Sequence, residues 1–228
     1  MELPTEVPVM ILPSATLFPQ ALLPLYIFEP RYRQMLKDAL NSHRMFSVAM
    51  QKPGRTREKP FAVAGLGLIR VSVGHNDGTS HLILQGLARV ELGATVRYKP
   101  YRVRRIRPLT APHVDNVVID ALVAKVHELV EQRIKLGFNL PFPMIQTSSS
   151  ELKIGQPVHA GFKVRDVLNY LEKLQSPEQL VDLVSCALLN IAEERQAILE
   201  TVELEARLKQ LIHFLLADIR RGRKSTHT

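Results

Sequence analysis

The sequence is poor in the residues that cross-link a chain or hold it in a membrane. Its 228 residues include one cysteine and no tryptophan. A single thiol, Cys186, cannot form an internal disulfide, so we expect the fold to depend on a packed core. No run approaches the roughly eighteen apolar residues of a membrane-spanning helix, and the first residues do not resemble a secretion signal. We therefore predict a cytoplasmic protein without membrane contact.

Motifs for catalysis are also missing. No Gly-Lys-Ser/Thr run ends a phosphate-binding loop. Gly65 and Gly67 lie in an apolar run and lack the third glycine and the helix of a dinucleotide-binding turn. His127-Glu128 lacks the second histidine of a zinc-peptidase helix, and Cys186 has no obvious base near it. We predict no catalytic residue, no cofactor and no metal ion, and we expect that the protein is not an enzyme.

Acidic residues are scarce in the first half of the chain. Residues 1–112 hold 16 Lys and Arg against 7 Asp and Glu, and the whole chain has a formal net charge of +8. One predicted strand holds much of the excess as Arg97, Lys99, Arg102, Arg104, Arg105 and Arg107. Such a strand can contact an anionic partner or can simply be a solvated face. Only Tyr98 and Tyr101 offer stacking near it, so we expect at most weak nucleic-acid binding.

Proline-punctuated apolar segments are abundant near the amino terminus. Residues 7–12 and 22–28 are short and rich in branched and aromatic side chains, which is typical of buried strands. Pro8 and Pro24 cannot donate a hydrogen bond to a neighbouring strand, so they indicate edge strands or bulges.

A helix is predicted directly after these strands. Glu29 is the expected N-cap and Pro30 the first helical residue, where a missing N–H costs nothing. Apolar residues then recur at helical spacing. We expect Phe28, Pro30 and Tyr32 to be core residues.

The rest of the chain divides into further strands and then helices. Residues 62–73 and 81–92 are predicted strands joined by an Asp-Gly hairpin turn. From about residue 115 the apolar period becomes helical, and Ser176 and Gln179 form a capping pattern at the start of one helix. Residues 138–162 have no clear period.

Several short motifs occur in an order that resembles the amino-terminal substrate-binding domain of Lon proteases. They are the proline-rich opening, Gly65 and Gly67, Asp77-Gly78, Leu84-Gln85-Gly86-Leu87-Ala88-Arg89-Val90, Pro100-Tyr101, Ala187-Leu188-Leu189, Glu194-Arg195-Gln196-Ala197-Ile198-Leu199-Glu200 and Glu205-Ala206-Arg207-Leu208. The resemblance covers nearly the whole chain. It implies an α+β fold in which an antiparallel PUA-like partial β-barrel with one early helix precedes a helical bundle lobe.

The expected division of the chain follows from the same pattern. We predict a β-rich lobe over residues 1–112, a helical lobe over 113–220, and a mobile basic tail over 221–228. The oligomeric state stays open.

The resemblance implies a module that recognises unfolded or partner polypeptides and does not cut them. A long loop with large apolar side chains can leave an adhesive surface, and its candidate polypeptide-binding residues are Phe138, Phe142, Met144 and Ile145. An exposed sheet edge or an apolar groove between the lobes would also bind extended segments. The alternatives are RNA binding through the basic β-rich lobe, with the basic strand and the loop over residues 52–59, and an adaptor role for a separate protease or ATPase.

Overall fold

The computed structural model describes residues 2–54, 58–110, 116–136, 171, 173–174 and 176–225, with side chains as far as residue 222. In chain order its elements are β1 (Glu6–Leu12), β2 (Leu22–Ile27), α1 (Pro30–Leu40), β3 (Met45–Met50), β4 (Val63–Gly74), β5 (Ser80–Arg97), β6 (Arg102–Pro108), α2 (Val117–Lys135), α3 (Pro177–Leu188), α4 (Ala192–Glu200) and α5 (Leu204–Ser225). The predicted α+β class is confirmed.

The strands form one sheet in the order β2-β5-β4-β3-β1-β6, and an additional pairing of β5 with β6 closes five strands into a barrel. β2 lies outside the closed ring and pairs with β5. β1 and β3 run parallel, whereas the other pairs are antiparallel. This parallel pair departs from the antiparallel barrel that was expected, because β2 and α1 lie between β1 and β3 and give the chain enough length to cross over.

β5 is long enough to pair with three neighbours. It pairs with β4 over most of its length, with β2 over residues 80–85, and with β6 over residues 90–97. The predicted Asp-Gly turn joins β4 to β5, with Gly78 at a φ of 79°. We use the term sheet extension for the three-stranded part formed by residues 22–27, 69–74 and 80–85.

Apolar cores lie on both sides of the barrel strands. The barrel interior contains Val7, Val9, Ile11, Met45, Ala49, Ala64, Leu66, Val90 and Leu92. A second core, under α1, contains Met35, Leu36, Ala39, Phe46, Val48, Ile69, Leu82 and Leu84. Because successive strand residues point to opposite faces, burial on both sides explains the continuous apolar runs in the sequence.

Two glycines let the segment before β2 lie directly on the sheet. A Cβ at Gly65 would stand 1.9 Å from the carbonyl oxygen of Leu17, and a Cβ at Gly86 would stand 1.9 Å from that of Phe18. Any side chain at either position would displace the backbone. Phe18 is fully buried and packs in the core of the helical lobe.

α1 begins at Pro30 with Glu29 at the N-cap position, as predicted, but without a side-chain capping bond. The Glu29 side chain makes no capping hydrogen bond; its carboxylate instead accepts from Nε of Arg31 at 2.8 Å. Tyr32 connects α1 to β1, since its hydroxyl bonds both the N–H and the carbonyl of Ile11 at 3.1 and 3.2 Å. Burial raises the pKa of Tyr32.

Both strand prolines occupy positions where no donor is needed. Pro24 lies in β2, at the end of the sheet. Pro8 pairs with Val103 of β6, and the ladder between β1 and β3 begins only at Val9. The predicted edge strand is therefore confirmed for Pro24, whereas β1 lies between β3 and β6, so Pro8 is on an interior strand just before its ladder with β3 begins.

The helical lobe has its own core, with Val126, Leu129, Leu180, Val184, Leu208, Leu211 and Leu215 among its buried members. The side chain of Asn116 caps α2, and Ser176 caps α3 by accepting the N–H of Gln179 at 3.1 Å, as the capping pattern predicted. α5 continues to Ser225, past the boundary predicted at residue 220. Among the described helices, none combines the length and apolar character needed to cross a bilayer.

A buried ionic cluster connects the two lobes. Asp182 of α3 accepts hydrogen bonds from both terminal nitrogens of Arg89 on β5 and, at 3.1 Å, from Nη1 of Arg207 on α5. The three residues are 3%, 6% and 4% exposed, respectively. Burial, followed by the Arg89 cation, lowers the pKa of Arg207. One carboxylate thus compensates two buried cations, which would be costly to leave unpaired.

Candidate polypeptide-binding surface

The sheet extension has an uncovered surface on the side opposite α1. Strand register places two rows of side chains across it, Tyr26-His81-Val73 and Pro24-Ile83-Val71. Phe28 follows β2 and stacks on Tyr26. We name these seven residues the aromatic face.

The position of the aromatic face follows from strand geometry. Ile27, Leu82 and Leu84 are buried in the core under α1. Their neighbours in sequence must point the other way, because side chains alternate along a strand. The described part of the chain places no helix on that side, and the apolar side chains there remain in contact with solvent.

The rings of the aromatic face support one another and remain accessible. Tyr26 is 49% exposed and Phe28 is 59% exposed. Their ring centroids are 5.9 Å apart, and the ring of Tyr26 lies 4.8 Å from that of His81. Nδ1 of His81 in turn lies 2.7 Å from Nε2 of His75. Mutual packing restricts ring motion, so a ligand would meet a preorganised surface and lose little side-chain entropy.

Charged side chains stand at the ends of the aromatic face. Arg70 donates from Nε to the side-chain oxygen of Gln85 at one end. Asp77 lies in the turn at the other end, where its carboxylate accepts from the hydroxyl and the N–H of Thr79 at 2.7 and 2.9 Å. These hydrogen bonds lower the pKa of Asp77. An apolar centre with a polar rim is the usual anatomy of a protein-binding surface.

A cavity of about 610 Å³ lies on the other side of the extension, between α1 and the β4–β5 turn. Its walls include Arg33, Lys37 and Ser80. The guanidinium of Arg33 packs on Gly78, since a Cβ there would lie 1.8 Å from Nη2. The two cations make this cavity suited to an anionic group.

Three of the six candidate anion-binding residues are paired with carboxylates. Arg102 lies 3.6 Å from Glu58, Arg105 lies 3.4 Å from Glu6, and Arg107 donates from Nε to Glu91 at 3.0 Å. These pairs reduce the positive potential of the basic strand. Because Arg105 and Arg107 remain largely exposed, the pairing is weak and can be exchanged.

The other three have no carboxylate within ion-pair distance among the described residues. Arg97 lies over the ring of Tyr101, with its guanidinium carbon 4.6 Å from the centroid. Arg104 donates from Nε to the carbonyl of Gly93 at 2.9 Å, and burial lowers its pKa. Lys99 is exposed between β5 and β6. The six residues thus lie in β5, in β6 or in the connection between them, and they have different partners.

Only one of the two tyrosines considered for base stacking is accessible. Tyr98 is 67% exposed, whereas Tyr101 is 4% exposed. The Tyr101 hydroxyl donates to Oδ2 of Asp38 at 2.6 Å. Burial and then this bond raise the pKa of Tyr101, and the same bond lowers the pKa of Asp38. Tyr101 is a core residue, so its predicted availability for stacking was wrong.

The polypeptide-binding residues predicted from the sequence, Phe138, Phe142, Met144 and Ile145, lie outside the described residues. Cys186 is described, and burial raises the pKa of its thiol, which disfavours the reactive thiolate. Within the described ranges, no three or more His, Cys, Asp or Glu side chains converge as metal ligands.

Sequence reasoning missed the aromatic face because it assigned Phe28 and Pro30 to the core together with Tyr32. Tyr32 is 5% exposed, as expected, but Phe28 and Pro30 are exposed. A usable signal was present, since residues 22–28 are apolar at both odd and even positions. A strand with one covered face requires apolar residues only at alternate positions.

Comparison with known families agrees with the resemblance noted in the sequence. The family model described as the ATP-dependent protease La (LON) substrate-binding domain matches residues 6–217. Lon protease of Anaeromyxobacter dehalogenans (strain 2CP-C) is 25% identical over 219 residues, which cover 94% of this chain and 23% of that relative. Lon protease 2 of Myxococcus xanthus is 26% identical, with 94% and 24% covered. The chain thus spans about a quarter of the length of these relatives.

Solved structures share the fold. The amino-terminal domain of the Mycobacterium avium complex Lon protease aligns with a TM-score of 0.67 at 17% identity, over 92% of this chain and 97% of that one. The Lon amino-terminal domain protein from Xanthomonas campestris aligns with a TM-score of 0.59 at 20% identity, over 92% and 98%. At these identities the alignments establish the architecture alone.

Proposed function

Because the chain belongs to the ATP-dependent protease La (LON) substrate-binding domain family, we propose that it is a non-enzymatic module that binds segments of other polypeptides through the aromatic face. The family match is to a substrate-binding domain and not to a peptidase or ATPase domain, which supports binding without a catalytic step. The proteolytic activity named for the longer relatives is not part of the proposal.

The observation that carries the proposal is the exposure of Tyr26 and Phe28 beside exposed Val71 and Val73. Contiguous apolar surface of this kind is uncommon on monomers and marks interaction sites. Tyrosine and other large aromatic side chains contribute most strongly to protein interfaces. Folded proteins bury such apolar groups, so a surface of this composition favours segments that are unfolded or not yet assembled.

The test is a binding titration with a reduced and alkylated globular protein that cannot refold. We expect the double variant Tyr26→Ser/Phe28→Ser to bind at least about tenfold more weakly than the unmodified chain, because two aromatic contacts are lost. Fluorescence anisotropy of the labelled unfolded protein measures the dissociation constant.

Tyr98→Ser is the matched control, since it removes an equally accessible ring far from the aromatic face. It should bind as the unmodified chain does. Unchanged affinity of the double variant, with its circular dichroism spectrum intact, would contradict the proposal.

We also propose that Phe138, Phe142, Met144 and Ile145 add apolar contacts to the same ligands, which the composition of that segment alone supports. Replacing all four with serine should weaken binding further in the double-variant background. If the four replacements cause no further loss of affinity, these residues are not part of the binding surface.

Nucleic-acid binding through the basic strand is a second hypothesis with weaker support. Three of its six cations have carboxylate partners, and of the rings in the described part of the chain Tyr98 is the accessible one near them. Labelled RNA titrated at low and moderate salt distinguishes the two functions, because phosphate binding weakens steeply as salt rises. Absence of RNA binding at low salt would exclude nucleic-acid binding.

An adaptor role for a separate protease or ATPase in the cytoplasm is compatible with polypeptide binding. The single cysteine fits that reducing compartment. Co-purification with an ATPase or a peptidase, lost in the Tyr26→Ser/Phe28→Ser variant, would support this role.

A further inference from the structure

Among the residues that the structure describes, no strand pairs with the outer edge of β2. β2 is the first strand in the sheet order, and its ladder hydrogen bonds go to β5. Of the residues that the structure describes, none donates to or accepts from the outward main-chain groups of β2. Unpaired strand groups of this kind are a template for another extended chain.

The direction of each peptide group can be read from neighbouring bonds. The Ala21 carbonyl accepts from the Gly86 N–H of β5 at 2.8 Å. Peptide groups alternate between the two edges of an extended strand, so the groups of Leu22, Pro24 and Tyr26 point away from β5. Pro24 fits this assignment, because a residue without an N–H is tolerated on an outward position. The open edge therefore offers three carbonyl acceptors and two N–H donors.

The edge also lacks the usual protection against pairing. Natural edge strands carry charged side chains, often lysine, that prevent association. β2 has the sequence Leu-Leu-Pro-Leu-Tyr-Ile and contains no charged residue. Pro24 is its one feature that limits pairing, and it removes a single donor.

We propose that an extended polypeptide segment pairs with this edge as a seventh strand and lays its alternate apolar side chains beside the aromatic face. The inference rests on the proposed function and specifies its mode. Main-chain hydrogen bonds bind any sequence without proline at the pairing positions, and the neighbouring rings select apolar side chains.

Charge complementarity predicts which residues lie on either side of the apolar part of the bound segment. The chain has a net charge of +8, β2 contributes no charge, and Arg70 lies at the Leu22 end of the extension bonded to neutral Gln85. The net positive charge of the chain and Arg70 therefore attract a segment with acidic residues beyond its apolar part, and Asp77 at the far end of the aromatic face opposes this attraction locally.

The experiment uses a fluorescent peptide with six residues that alternate leucine and threonine, the length of β2, between glutamates. The alternation fixes which face meets the rings, since a shift by one residue would place threonine there. Two further peptides carry N-methyl groups on the leucines or on the threonines. Each removes the donors on one edge and leaves the side chains unchanged.

We expect one methylated peptide to bind at least about tenfold more weakly than the parent while the other binds equally well, because only one edge meets β2. Which of the two methylated peptides binds more weakly shows whether the segment runs parallel or antiparallel to β2. Equal behaviour of the two methylated peptides would overturn edge pairing.

The outcomes separate this inference from the proposed function. A parent peptide that binds, depends on Tyr26 and Phe28 and tolerates both methylation patterns leaves the function intact and removes edge pairing. A parent peptide that does not depend on those rings contradicts the function itself. Sedimentation of the chain without peptide should show a monomer. A dimer that dissociates when the peptide is added would mean that a second copy of the chain occupies the edge of β2.

Discussion

The two faces of the sheet extension have similar composition and opposite surroundings. On one face, Leu82 and Leu84 are buried beneath α1. On the other, Tyr26 and Val73 are about half exposed. Burial of the first face stabilises the fold, whereas the apolar groups of the second gain nothing from folding while they stay in water. This difference is the basis of the proposal that the second face contacts another molecule.

The covered face continues along β5 to the ionic cluster. The largest expected effect on stability comes from a substitution in this cluster. Asp182→Asn should lower the free energy of unfolding by about 3–5 kcal/mol, because Arg89 and Arg207 would remain buried without a counter-charge. Urea denaturation measures the loss. Glu131→Gln, which removes the carboxylate of an exposed pair with Lys135, should cost less than about 0.5 kcal/mol. Equal losses in the two variants would show that the cluster does not hold the lobes together.

Adjacent residues of β5 compare the two faces directly. Leu84→Ala should destabilise the protein by about 3 kcal/mol, since it leaves a cavity under α1. Ile83→Ala removes a side chain of similar size from the aromatic face and should cost less than about 1 kcal/mol. Thermal or urea unfolding of both variants gives the two values. Similar values would mean that the aromatic face is covered in solution.

A smaller, pH-dependent effect is expected from the contact between α1 and Tyr101. The folded pKa of Asp38 is lowered, so ionised Asp38 stabilises the folded state above its ordinary value of 3.8. This contribution is lost as pH falls through the folded pKa. The difference in unfolding free energy between the unmodified chain and Asp38→Asn should therefore be present at neutral pH and shrink in strong acid. A difference that stays constant with pH would contradict a role for the Asp38 charge.

Local features of the fold could be predicted from the sequence. The Asp-Gly turn, the start of α1 at Pro30 and the Ser176 cap each depend on a few neighbouring residues with strong conformational preferences. The edge position of Pro24 in β2 was predictable for the same reason, whereas the interior position of β1 was not. The parallel pairing of β1 with β3 was not, because it depends on how a long connection returns to the sheet.

The candidate surface was harder to predict from the sequence, because the burial of a side chain depends on the tertiary structure. Phe28 has the composition of a core residue, and its exposure depends on which face of the extension α1 covers. The partners of the basic strand depend in the same way on register, which alone places Glu6 opposite Arg105 and Glu91 opposite Arg107. The ionic cluster joins Arg89 to Asp182, 93 residues away, and no local pattern indicates such a pair.

The continuity of β5 has a mechanical consequence. This single strand of 18 residues contains His81 at one end of the aromatic face, Arg89 at the contact with the helices, and the residues that close the barrel. No linker separates these parts, and the ladder with β4 continues between them with one β5 residue, Leu87, skipped. A load applied to a captured segment at β2 would pass through the ladder into β5 and reach the helices as a displacement of Arg89.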